Sequence, residues 1–231
     1  MSDSLALSAL DWWVEAGVDT IVDDCPRDWL ATAAPSVVPP APIVPPPAPS
    51  PQDLASFRRW LLADASVPGP TTARIDAMGD ADSGIAVVVD MPEAGDRAAG
   101  QILSGEAGAL FDRMLTAMGL ARTGLYLLPF APARPPAGKV AAADVITLAP
   151  LLRRHLALAR PRRLLLLGDA PTRALLDLPL AQARGEVRQV EIDGASIPTI
   201  ATAHPRLVLD RPDYRKTVWT ELQLFMTLGD A

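Results

Sequence analysis

Apolar positions fall into two kinds of pattern along this chain. Residues 85–89, 125–128 and 164–167 are short continuous apolar runs, closed by Asp90-Met91-Pro92, by Pro129 and by Gly168. Runs of that length bounded by turn-formers suit strands buried on both faces. Residues 187–192, then Asp193-Gly194, then 197–201 read as a hairpin leading into a last core strand. Between the runs the apolar spacing turns helical. Residues 107–120 place Leu110, Phe111, Met114, Leu115 and Met118 on one face, with Gly119 as the stop. Residues 144–158 do the same through Ile146, Leu148, Leu151, Leu152 and Leu156, and Pro150 there calls for a first turn or a kink. Residues 170–176 form a short helix, and residues 213–227 a terminal one through Val218, Leu222, Leu224 and Phe225. Residues 52–63 form a further short helix, and 64–83 read as loop. Buried strands alternating with helices predict an α/β fold: three layers, α/β/α, around a central, mostly parallel four-stranded sheet.

The first fifty residues differ. Residues 4–30 have helical spacing through Leu5, Leu7, Leu10, Trp13, Val14 and Val18, and residues 35–51 hold nine prolines in 17 positions. Proline removes the backbone donor and fixes φ, so the second stretch reads as an extended spacer. The expected organisation is a helical N-terminal arm over 1–32, a proline-rich linker over 33–51 and an α/β domain over 52–231. The Trp12-Trp13 pair and the linker make the arm a possible contact for a protein partner.

Composition narrows the setting. With 231 residues, 49% of them hydrophobic, a sizeable core is available. Cys25 is the single cysteine, so neither an internal disulfide nor a thiolate cluster can form, which suits a reducing, cytoplasmic compartment. Cys25 itself reads as an inert small residue. No apolar run is long enough to span a bilayer, and no basic segment precedes the first apolar residues as in a signal peptide. The net charge of −6 is a poor global signature for a nucleic-acid binder. It is unevenly spread: residues 1–120 carry 17 acids and 6 bases, residues 121–231 carry 10 and 15. The bases include Arg153, Arg154, Arg160, Arg162 and Arg163, either a locally positive face or a solvated basic helix.

Sites in open parallel sheets gather at the carboxyl ends of strands. Three such ends carry chemistry here: residues 90–96 with Asp90 and Asp96, residues 129–136 with Arg134, and Ala203-His204-Pro205-Arg206. Two acids, a histidine and arginines suit a hydrolysis in which an acid handles water and a histidine stabilises developing negative charge. Each also has an ordinary structural reading: Asp90 and Asp96 as turn or cap residues, Arg134 as a solvated side chain, His204 as a loop histidine. His155, inside a helix near its end, reads as structural. No set of metal ligands is evident.

Five pieces in order carry a family resemblance: Gly105-Glu106-Ala107-Gly108; Arg134-Pro135-Pro136; Ala159-Arg160-Pro161 with Leu166-Leu167-Gly168; Arg184-Gly185; and Thr202-Ala203-His204-Pro205. Over about residues 85–225 the chain resembles the family 4, iron–sulfur branch of the uracil-DNA glycosylase superfamily. Residues 10–19 are similar to an N-terminal arm in some of its members. The resemblance implies flipping of a base out of DNA and hydrolysis of its N-glycosidic bond, in base-excision repair. On it, His204 would stabilise the departing base. Asp90 and Asp96 would occupy the two acidic positions of the first motif, where the chain has Asp90-Met91-Pro92-Glu93 for G-E-A-P-G. Pro205 would enter the minor groove with the His-Pro loop, and Arg134 and Arg206 would contact DNA.

The departures are equally specific. Ala133 and Leu148 stand where cluster cysteines are expected, and residues 52–65 supply none, so no iron–sulfur cluster and no other cofactor is expected. In the base pocket, Leu103 replaces the stacking aromatic, Pro129 replaces the asparagine that reads uracil, and the approach at Pro92 carries the bulky Glu93. Loss of those hydrogen bonds should erase uracil specificity. Three readings stay open: an active glycosylase on DNA, single- or double-stranded; a catalytically degenerate member that binds DNA or a protein; and an interaction module working through its arm.

Overall fold

The computed structural model describes residues 51–228, together with Ser8, Trp12 and Glu15, which are helical. The rest of the expected arm, and the linker up to Ser50, lie outside the described residues. The chain divides into two compact units, Met1–Pro47 and Ala48–Ala231, and the α/β fold is the second.

Its strands are β1 (Met78–Gly79), β2 (Ile85–Val89), β3 (Tyr126–Pro129), β4 (Arg163–Leu167), β5 (Arg188–Ile192) and β6 (Ala195–Thr202). Its helices are α1 (Leu54–Ala63), α2 (Asp96–Ala99), α3 (Gly105–Ala117), α4 (Ala142–Ala159), α5 (Asp169–Leu176), α6 (Leu180–Ala183), α7 (Pro205–Asp210) and α8 (Tyr214–Thr227). Together they make one sheet in the order β1-β3-β2-β4-β6-β5. The inner four strands run parallel, and β1 and β5 add antiparallel edges.

The sheet therefore has six strands rather than the expected four. β1 is two residues long and pairs Met78 with Leu127 and Gly79 with Tyr126, too short for any periodic signal. β5 joins the sheet through the expected hairpin, with Ile192 opposite Ala195 across Asp193 and Gly194. Both turn residues have positive φ, 48° and 80°, as a type I′ turn requires.

Period-two alternation in the inner strands builds the two cores. Ala86, Val88, Tyr126, Leu128, Leu164 and Leu166 point to one face, against Leu148, Leu152 and Leu156 of α4 and Leu175 of α5. Val87, Val89, Leu127, Leu165 and Leu167 point to the other, against Phe111 and Leu115 of α3 and Val218, Leu222 and Phe225 of α8. Helices thus cover both faces, as the continuous apolar strands demand.

Two local expectations change. Pro150 sits in the interior of α4, not its first turn. The carbonyl that loses an amide partner belongs to Ile146, which is exposed on the solvent side of the helix. The basic cluster is only in part a free face: Arg160 is exposed, Arg154 donates to Gln52 Oε1 at 2.9 Å, and the other three bind carbonyls. Arg153 donates to the Leu175 and Glu191 carbonyls, Arg162 to that of Ser83, and Arg163 to that of Phe225. Arg162 and Arg163 lie at the start of β4, the sheet edge opposite the strand ends where His204 and Asp90 sit.

Candidate active site

β2 reverses the strand order: β3 lies on one side of it and β4 on the other. A crevice at such a switch point is where open α/β sheets place ligands. Asp90 is the first residue beyond β2 and reaches across to α5, where its Oδ1 accepts the Ala170 N–H at 3.0 Å. Gly168 makes this seat possible. A Cβ there would lie 2.1–2.3 Å from the Asp90 carboxyl atoms, and its backbone, at φ 113° and ψ 179°, is one that only glycine adopts readily. Burial pushes the Asp90 carboxyl up to about 7, with the nearby Asp169 adding to the shift and the α5 amide opposing it. Asp90 is thus poised between acid and base at neutral pH.

Asp96 is fully buried and its oxygens are consumed. Oδ2 accepts the N–H groups of Glu93 and Leu103, both at 2.8 Å. Oδ1 accepts the Ser104 N–H at 2.7 Å and its hydroxyl at 2.5 Å. The residue therefore closes the 93–104 loop and leaves no lone pair aimed at a substrate, so the expected catalytic place passes to a positioning one. Leu103 is held beside it in a left-handed conformation, φ 56°. Arg122 grips the carbonyls of Ile102 and Leu103 at 2.6 and 2.7 Å. The Leu103 side chain is wholly inside the α3 core and offers no surface to a base. Gly108 of the G-E-A-G piece allows this packing, since a Cβ there would come 1.8 Å from the Leu103 carbonyl oxygen.

His204 caps α7 and Pro205 fills that helix's first position. Its Nδ1 accepts the Arg206 N–H at 3.2 Å, which assigns the ring proton to Nε2. Burial lowers its pKa to about 4; Asp96 opposes the shift and Arg134 adds to it. His204 is thus a neutral N–H donor, and the Glu93 Oε1 3.9 Å from Nδ1 is too far for a hydrogen bond. The strand leading into this loop is braced from below. Thr202 Oγ1 donates to Glu221 of α8 at 2.5 Å, and Arg184 binds both oxygens of Glu221 at 2.7 and 3.1 Å.

Asp90, Met91, Glu93, Arg134, Gly138, His204, Arg206 and Asp210 surround one cavity of about 210 Å³. Three distant strand ends thus supply one hollow. Glu93 is its hub, paired with Arg206 and 3.7 Å from Arg134 Nη1. Arg134 also donates to the Pro92 carbonyl at 3.1 Å, so the buried Pro92 contributes its backbone. Pro129 lines a different hollow with Leu148 and His155. Of the expected residues, Asp90, His204, Arg134 and Arg206 meet in the cavity, while Leu103 and Pro129 do not. Asp210 had no sequence signal, because only the turn of α7 brings it round.

The other histidine is structural. Tyr126 Oη lies 2.7 Å from His155 Nε2, and Phe57 packs against the ring edge-on. Burial also lowers the His155 pKa to about 4. Below the unfolded value near 6.5 the unfolded chain protonates both histidines while the folded chain resists. They therefore destabilise the fold as pH falls from about 6.5 to 4, on the order of 3 kcal/mol each. Asp90 acts in the opposite sense, since its raised pKa favours the fold as pH falls from about 7 towards 4. Asp90→Asn removes that compensation, so its denaturation midpoint should drop more steeply than the wild type's over this window. Parallel pH profiles would mean that Asp90 titrates normally.

The positions where the resemblance calls for cluster thiolates hold Ala133 and Leu148, both buried. Gly69 packs so tightly on Ala133 that an added Cβ would lie 2.8 Å from the alanine's own. One cysteine in the whole chain cannot supply four thiolates. These residues do not fit an iron–sulfur cluster. Among the described residues no His, Cys, Asp and Glu group suits a metal ion, and no helix is long and apolar enough to cross a membrane.

The same span matches known proteins. A type-4 uracil-DNA glycosylase of Pyrobaculum aerophilum is 27% identical over 158 residues, covering 65% of this chain and 81% of that protein. One of Archaeoglobus fulgidus is 28% identical over 152 residues, covering 63% and 76%. The sequence profile of the uracil DNA glycosylase superfamily matches residues 77–223, from the start of β1 to the helix that carries Glu221. With the three-layer fold and the site at its switch point, this places the chain in the uracil-DNA glycosylase superfamily.

Proposed function

We propose that this protein hydrolyses the N-glycosidic bond of a flipped, uracil-like base in DNA, as a base-excision repair enzyme. The observation that carries the reading is the convergence of Asp90, His204, Arg134 and Arg206 on one cavity at the switch point. Two relatives named as uracil-DNA glycosylases support the choice of reaction and of base. A water attacks the sugar C1′ and gives its proton to the Asp90 carboxylate. The C1′–N bond breaks and its electron pair leaves on the base. The Nε2–H of His204 donates to the base atom where that charge gathers, and a neutral, largely buried imidazole suits this task. Arg134 and Arg206 take the phosphates, with Pro205 rigidifying the approach.

Purified protein is expected to release base from a uracil-containing single-stranded oligonucleotide and leave an abasic site. His204→Ala should slow release by about 10² or more. Because His204 is already neutral above about pH 4, the rate should rise with Asp90 ionisation, through a midpoint near 7, and then level off. Asp90→Asn should abolish that rise. No abasic product from the wild type would overturn turnover on uracil.

A second reading has its own support. With Leu103 in the core and Pro129 outside the cavity, no ring and no side-chain amide from those positions covers a base. A degenerate member would retain DNA, released by salt, with no abasic product.

A further inference from the structure

We infer that Glu93 is an internal stand-in for a DNA phosphate, occupying a latent phosphate site formed by Arg134 and Arg206. The inference rests on DNA being the ligand. The Glu93 side chain is 11% exposed and sits between the two guanidinium groups, paired with Arg206 Nη2 and 3.7 Å from Arg134 Nη1. A carboxylate oxygen between two guanidinium forks is the arrangement in which arginines bind phosphate oxygens.

The parts differ in their freedom. The Glu93 main chain is fixed through its N–H to Asp96, so only its side chain can withdraw. Arg134 is anchored on the Pro92 carbonyl. Arg206 is 44% exposed and can turn outward. Glu93 and Arg206 line both the 210 Å³ cavity and a neighbouring hollow of about 540 Å³ that runs along Gly95, Ser104 and Gly105. Asp210 lines both as well, so the pair and Asp210 together form the wall between them. A backbone phosphate that takes Arg206 from Glu93 joins the two hollows into one groove leading to His204. Until then the single carboxylate offsets part of the charge of the two arginines.

The test is the binding of an undamaged single-stranded oligonucleotide across a salt series, followed by fluorescence anisotropy, for the wild type and Glu93→Gln. Freeing two arginines should tighten binding about tenfold at low salt. It should also steepen the slope of log affinity against log salt by roughly 0.7–1.4, one to two extra phosphates on a single strand. Adding Arg206→Gln to Glu93→Gln should bring the slope back towards that of the wild type. Glu93→Ala reads the same quantities should the amide variant fold poorly. Equal affinities and slopes in wild type and variants would overturn the inference and leave Glu93 as a fixed part of the wall. Absence of binding by every protein would instead overturn the DNA reading, and this inference with it.

Discussion

Gly168→Ala is expected to destabilise the protein by about 3 kcal/mol and to stop base excision. Two costs combine. The backbone at φ 113° and ψ 179° lies in a region essentially confined to glycine, worth about 1–3 kcal/mol for any other residue. The new methyl group also lands 2.1–2.3 Å from three atoms of the Asp90 carboxyl. That side chain is short and partly buried, so it must leave the α5 amide to escape, which costs the bond to the Ala170 N–H, about 1 kcal/mol more. A double-mutant cycle separates the two terms. In an Asp90→Ala background the collision is gone, and Gly168→Ala should cost roughly 1–2 kcal/mol less than it does alone. Denaturant titration of the four proteins measures this coupling. A coupling near zero would mean that Asp90 does not pack on Gly168 in solution.

Asp96→Asn is expected to cost about 3 kcal/mol, although it changes a single atom. Asp96 accepts four hydrogen bonds, three from backbone N–H groups and one from a hydroxyl. Whichever way the amide is turned, its NH2 faces at least one buried N–H that then has no acceptor, at about 1–3 kcal/mol for each stranded group. The loop so loosened carries Glu93 at one end and the left-handed Leu103 at the other. A purely catalytic Asp96 predicts the reverse: excision lost with stability kept. A shift in unfolding free energy under about 0.5 kcal/mol would exclude the positioning role argued here. The two aspartates of one motif thus divide the work. Asp90 holds a carboxyl that titrates near neutrality, and Asp96 holds the loop that shapes the cavity beside it.

Asp90 and Asp96 also show why a motif alone could not separate chemistry from scaffolding. Both follow the same strand within seven residues, and in sequence each is an acid in a turn. What distinguishes them is the set of donors around each. For Asp90 that is the start of a helix 80 residues away, and for Asp96 it is three amides of its own loop. Glu93 makes the same point. Its bulk beside Pro92 was visible, but its partners Arg134 and Arg206 are distant in the chain and meet it only at the switch point.

By itself the sequence determined the inner four strands, the main helices on both faces, and the order of the pieces shared with the superfamily. Those signals are local: apolar runs of strand length, helical spacing, and glycine or proline at the stops. It also determined that no cluster of thiolates can form, because that is a matter of counting cysteines. Only the tertiary structure decided the rest. It added β1 to the sheet, since edge pairing is a long-range choice that a two-residue strand does not announce, and it made β5, the first arm of the expected hairpin, the opposite edge of the same sheet. It turned Leu103 into the core and Pro129 away from the cavity, because a side chain's direction depends on the backbone held around it. It also tied Arg162 and Arg163 to carbonyls near the far end of the sheet and gathered His204, Asp90, Glu93, Arg134 and Arg206 around one hollow. Charges and donors far apart in the chain act together only where packing brings them within a few ångströms, and that distance is a property of the fold.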